Sequence, residues 1–135
     1  MLLKELRGNF PIAIAVPQVA AGAAGGGAFT LPNNFQIVSA TMVWGAAITG
    51  TATNFFTLSM FNRGAAGAGT VQWGTAIPYS NGTNAAKATP VTVTLSSTAS
   101  DLQAASGDVL SVEITTTGTG LLAPGGTLML TGRWR

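Results

Sequence analysis

Four carboxylates, no histidine and no cysteine set the chemical repertoire of this 135-residue chain. Asp101 and Asp108 flank the run Leu102-Gln103-Ala104-Ala105-Ser106-Gly107. A turn there could bring them together as a weak cation site or as a paired acid and base. The competing reading, which the sequence favours, has Asp108 entering a strand from the Gly107 turn and Asp101 bracing a short turn through its side chain. Glu113 falls on the polar face of an alternating run, suited to solvent or to a rim ion pair. Serines are plentiful, but there is no histidine base and no Gly-x-Ser-x-Gly elbow, and nothing positions Lys87 beside a serine. Gly25-Gly26-Gly27 lacks the Lys-Ser/Thr that a phosphate loop requires. Asn81-Gly82-Thr83 matches a glycosylation sequon, which matters only in a secretory pathway. The expectation is a protein that is not an enzyme, with no catalytic residue, no metal and no cofactor.

The aromatic residues leave a binding alternative open. Trp44, Trp73, Tyr79 and Trp134 could stack sugar rings on a sheet face. Trp44 has the core parity of its strand, whereas Trp73 and Tyr79 flank a turn and read either way. Trp134 sits between Arg133 and Arg135, and Arg-Trp-Arg has the composition that interface anchors favour.

These residues must be carried by strands. Short β-like runs alternate with Gly, Asn, Pro and Ser punctuation, and no segment shows a capped helical stripe. Strands are expected over 12–19, 29–31, 35–48, 54–62, 70–77, 91–96, 109–115 and 128–131. In 35–48, Val38, Ala40, Met42 and Trp44 form one face, against Ile37, Ser39, Thr41 and Val43. Residues 20–28 read as a low-complexity Gly/Ala loop. The fold class expected is all-β: a single antiparallel β-sandwich, jelly-roll-like, of about eight strands with extended terminal arms. The expected division is an arm over 1–11, a sandwich over 12–132 and a tail over 133–135. Lys4 and Arg7 ahead of Ile12–Val16 imitate a signal peptide, but Pro11 and Pro17 cut the apolar stretch to five residues, so it is expected to belong to the fold.

Charge is scarce. Ten charged side chains make 7% of the chain, against about 25% in typical soluble domains. A surface so poor in ions suits coverage by neighbouring protein, where each ion would carry a desolvation cost. Half of the charges lie at the ends: Lys4, Glu5, Arg7, Arg133 and Arg135. Six scattered basic residues make no phosphate footprint, so nucleic acid is not an expected partner. No apolar stretch approaches the ~20 residues of a membrane helix, and no membrane association is expected. The ends carry the candidate intersubunit contacts: Leu2, Leu3, Lys4, Leu6 and Arg7, with Arg133, Trp134 and Arg135.

The run from Ser100 through Asp108-Val109-Leu110-Ser111-Val112-Glu113-Ile114, leading by Thr-rich residues to Gly126-Thr127-Leu128-Met129-Leu130-Thr131-Gly132, resembles the closing strands of small β-sandwich proteins in tailed-bacteriophage particles. The likeness is to capsid decoration (cement) proteins above all. It covers the final forty or so residues by pattern and the whole chain by composition, and it transfers no functional residue. What it implies is a structural protein on the outer surface of a virion. Its partners would be the major capsid protein and further copies of itself, a trimer being favoured. A tail, neck or head-fibre part, or a carbohydrate- or receptor-binding sandwich, is the alternative.

Overall fold

The computed structural model describes residues 8–135; the expected contacts at Leu2, Leu3, Lys4, Leu6 and Arg7 lie outside them. Among the described residues nine strands follow one another: β1 (Phe10–Val16), β2 (Gly25–Thr30), β3 (Phe35–Trp44), β4 (Phe55–Asn62), β5 (Val71–Pro78), β6 (Pro90–Thr92), β7 (Gln103–Ala104), β8 (Val109–Thr117) and β9 (Gly126–Trp134). A 3-10 turn, Ala99–Leu102, precedes β7.

All strand pairing is antiparallel. One sheet has the order β1-β9-β3-β6, with the short β7 also on β3, and the other has the order β2-β8-β4-β5. With β7 set aside, eight strands divide four and four, and the chain passes repeatedly from one sheet to the other. That order is a jelly roll, as the alternating sequence predicts.

Period-2 alternation builds the core between the sheets. Ile12, Ile14 and Val16 of β1, Leu128 and Leu130 of β9, and Ala40, Met42 and Trp44 of β3 point inward from the first sheet. Phe56, Leu58 and Met60 of β4 and Leu110, Val112 and Ile114 of β8 meet them from the second. Near the centre, Trp44 lies edge-on to Phe56 and to Tyr79, and its indole donates a 2.7 Å hydrogen bond to the Tyr79 hydroxyl.

Four expectations are corrected. In β3 the register slips between Ile37 and Ser39. This bulge leaves Val38 41% exposed and turns Ile37 inward, reversing the parity expected for those two residues. The glycine run expected as loop is strand: residues 25–27 pair with Ile114, Glu113 and Val112 of β8. A β-carbon on Gly26 would overlap the Val112 carbonyl, and one on Gly27 the Ala15 carbonyl. Glycine is therefore what lets β2 lie flat on β8 while β1 crosses over it. Residues 45–48 are not strand, although Ile48 is still buried, held by a two-way backbone pair with Ala85 (2.8 and 3.0 Å). Finally, the expected tail at 133–135 is mostly sheet, because β9 continues on β3 through Arg133↔Gln36 and Trp134↔Phe35.

One side of the sandwich is closed by β1 against β2. The other is closed by the chain leaving β6: Val93 N–H donates to Ala40 O of the first sheet at 3.0 Å. Thr94 O then accepts from Thr75, and Ser96 N–H donates to Trp73 O, both on β5 of the second sheet (2.7 and 3.0 Å). The loops at the Trp44 end brace one another, with Val19 paired to Ala123 and the Asn54 side-chain oxygen accepting from Thr119 N–H at 3.0 Å.

Candidate interaction surface

The residues with chemical potential are dispersed. Asp108 accepts from Ala105 N–H and from the Asn62 amide, each at 2.9 Å, and so braces the turn leading into β8. Asp101 accepts from the Ser96 hydroxyl at 2.6 Å, tying the 3-10 turn to the segment beside β5. Glu113 forms a bidentate pair with Arg63: Nε to Oε1 at 2.7 Å and Nη2 to Oε2 at 2.5 Å. The same guanidinium donates to Gly69 O and lies 4.2 Å from the centre of the Phe61 ring, fastening the 63–69 loop to the outside of the second sheet. Among the described residues no group of three or more His, Cys, Asp or Glu side chains converges.

The aromatic candidates are core. Trp44, Trp73 and Tyr79 are 0%, 0% and 1% exposed, so none of the three can stack a sugar. Burial pushes the Tyr79 phenol above its usual pKa, and the hydrogen bond from Trp44 partly opposes that shift.

The Arg-Trp-Arg triplet is divided three ways. Arg133 is exposed and has the outward parity of β9. Trp134 turns inward, 4.9 Å from Phe10 and 5.1 Å from Phe35 between ring centres, and caps that end of the core. A β-carbon at Gly132 would run into the Phe35 ring, so this glycine makes room for the cluster. Arg135 donates its backbone N–H to Asn34 O at 2.9 Å and lines a small cleft with Asn34 and Gln103. Arg133 and Arg135 reach the surface, whereas the Trp134 ring packs within its own chain.

What composition could not locate is a continuous uncharged face. The outward residues of the first sheet fall into rows set by register: a charged row at one end, where Arg133 pairs with Gln36, and beyond it three uncharged rows. Pro11, Thr131 and Ser39 form the first uncharged row, and Ala13, Met129, Thr41 and Thr92 the second. Ala15, Thr127, Val43 and Pro90 form the third. No ionisable side chain occurs in any of these three rows, and Met129 at their centre is 38% exposed. Both outer strands of the sheet carry a proline, Pro11 in β1 and Pro90 in β6. Proline lacks the N–H that edge-to-edge pairing needs. The sheet is thus blunted at its edges and open across its face. At a strand spacing of 4.8 Å and a rise of about 3.3 Å per residue, the face covers roughly 400 Å².

No protein-family model matches the chain, and no curated protein or solved structure matches it either.

Proposed function

We propose that this protein is a non-enzymatic structural component of a virion. In this reading it binds the outer surface of an assembled capsid and stabilises the lattice, as decoration proteins do. It acts as a homo-oligomer, a trimer being favoured, with the major capsid protein as partner. The observation that carries the reading is the uncharged face of the sheet β1-β9-β3-β6. Covering Thr, Ala, Ser, Pro and Met side chains removes apolar surface from water and strands no ion, whereas an ordinary charged sheet face would lose hydration on contact.

The size of the face matters as much as its chemistry. Roughly 400 Å² is about half of what one partner contributes to a stable protein–protein interface. A single capsid subunit would then hold the protein weakly. An assembled lattice offers two or more subunits at fixed spacing, and simultaneous contacts multiply through effective concentration. A ligand that prefers the assembled state stabilises it by mass action. The jelly roll supplies what such a clamp needs: a rigid body whose strands, not mobile loops, present the contact.

The test is to mix purified protein with capsids that lack it, sediment the particles and count bound copies. Stoichiometric binding at fixed lattice positions, with raised resistance to heat or osmotic shock, is the expected result. Absence of binding to any capsid sinks the proposal.

A further inference from the structure

On β9 the outward positions run Thr127, Met129, Thr131 and Arg133, so the uncharged face passes at one end directly into a cation. Arg133 pairs in register with Gln36 of β3, and Gln36 with Gln103 of β7, which sets the three residues side by side on one face. One step further, Arg135 N–H donates to Asn34 O at 2.9 Å and brings Asn34 beside Arg135. The Asn34 side-chain oxygen already accepts from Ser106 N–H at 2.9 Å, which leaves its amide NH2 as the group still open to a partner. Asn34, Gln103 and Arg135 line a cleft of about 210 Å³. Arg133, Arg135, Gln103 and Asn34 are exposed and Gln36 is half-buried.

This corner is rich in donors: two guanidiniums with three amides at their sides. Among the described residues one ion pair forms, Arg63–Glu113, and it lies on the other sheet. Asp101 and Asp108, the acids that flank β7 in sequence, are engaged elsewhere. Asp101 accepts from Ser96, and Asp108 from Asn62 and Ala105. Positions 133 and 135 are two residues apart on an extended chain, about 7 Å, a spacing at which two long side chains can converge on one carboxylate.

The uncharged face makes this corner matter, and the argument rests on the reading that a capsid protein covers that face. A partner laid across Met129 and Thr131 meets Arg133 as the next outward residue of the same strand. Taking a guanidinium out of water without a counter-charge is unfavourable. A carboxylate opposite it restores the balance, and a guanidinium, weakly hydrated and forked, suits that contact better than an ammonium would. We infer that Arg133 and Arg135, with Gln36, Gln103 and Asn34, form a carboxylate-binding corner that receives an Asp or Glu side chain of the protein covering the face. A second copy of this chain is a poor source for that acid. Of its four carboxylates, Asp101, Asp108 and Glu113 are committed within their own fold.

Two experiments on the full-length protein test the corner, one of them without capsids. In the first, isotope-labelled protein is titrated with a blocked peptide of alternating alanine and glutamate, and NMR shifts are followed. Shifts should cluster on the side-chain N–H groups of the five residues, in the millimolar range, and vanish in the double variant Arg133→Gln, Arg135→Gln. No shifts, shifts centred on Lys87, or a larger response to inorganic phosphate overturns the inference. A response seen only after Glu5→Gln would mean that the chain's own acid fills the corner, and overturns it too. In the second, capsids lacking the protein are mixed with wild type or the double variant and sedimented. The variant, its folding unchanged because both arginines are exposed, should bind about tenfold or more weakly and with a flatter salt dependence. Equal binding and equal salt dependence overturn the inference and leave the decoration reading standing. A protein that takes the glutamate peptide at this corner but ignores every capsid keeps the carboxylate site and sinks the decoration reading alone.

Discussion

Trp44 and Tyr79 meet inside the sandwich, the indole N–H donating to the phenol oxygen at 2.7 Å with the rings nearly perpendicular. The pair joins the end of β3 in one sheet to the residue that follows β5 in the other. Its hydrogen bond therefore spans the two layers. Tyr79→Phe keeps the ring but leaves the Trp44 N–H without its acceptor. The expected loss is about 1–2 kcal/mol at neutral pH, read from denaturant midpoints at unchanged slope.

The same phenol sets an alkaline limit. Burial raises its pKa above the ordinary value of 10.0. As pH rises past that value, the unfolded chain loses the proton while the folded chain keeps it, so the unfolded state binds fewer protons and stability falls. Stability from this group is complete below pH 10 and declines above it until the raised pKa is reached. Midpoints measured from pH 8 to 11 should fall more steeply for wild type than for Tyr79→Phe. Parallel curves would show that the phenol ionises equally in both states.

Glycine positions divide into two kinds with different expected costs. Gly26→Ala places a β-carbon against the Val112 carbonyl within the β2–β8 ladder, where neither backbone can yield. It should cost about 3 kcal/mol or prevent folding. Gly67, at φ +77° with open space around it, incurs only left-handed strain on substitution, about 1–2 kcal/mol. Thermal unfolding of both variants checks the contrast, and equal losses would remove the close-packing account of β2.

These glycines also mark where the sequence stops being legible. Clean alternation in 109–115 and 128–131 names β8 and β9 and their buried residues, because one face of each is core. Gly25-Gly26-Gly27 has no side chains with which to alternate, so its strand is set by the neighbours pressing on it. Val38 fails for another reason: one extra residue in β3 reverses parity locally, and nothing in the hydrophobic pattern marks where it is inserted. Arg63 and Glu113 pair across 50 residues, which strand order alone brings about. The uncharged face has the same origin. Ala13, Met129, Thr41 and Thr92 come from four separated segments and form a row only once the jelly-roll register is known.

The Arg63–Glu113 pair should behave as a clamp with unequal halves. Both side chains are partly exposed, at 23% and 31%, so the ion pair itself is worth about 1 kcal/mol or less. Arg63 also donates to Gly69 O and covers Phe61, contacts that Glu113 lacks. Arg63→Ala should therefore destabilise more than Glu113→Gln, and Arg63→Lys should restore little, since an ammonium cannot reproduce the planar fork. Denaturation midpoints of the three variants, in low and in high salt, give the ranking.

Met129 offers the sharpest separation of binding from folding. Its side chain stands at the centre of the uncharged face, flanked across the strands by Ala13 and Thr41, with Thr92 beyond. Met129→Lys places an ammonium where the isolated protein is open to water, so the denaturant midpoint should move by no more than about 0.5 kcal/mol. If the face is covered on the capsid, the same charge must be desolvated without a partner. That penalty is several kcal/mol, enough to reduce capsid binding by about a hundredfold. Met129→Leu keeps the face apolar and should bind as wild type does. Binding by the lysine variant at wild-type level, with the fold intact, would place the contact elsewhere on the molecule and remove the observation on which the proposed function rests.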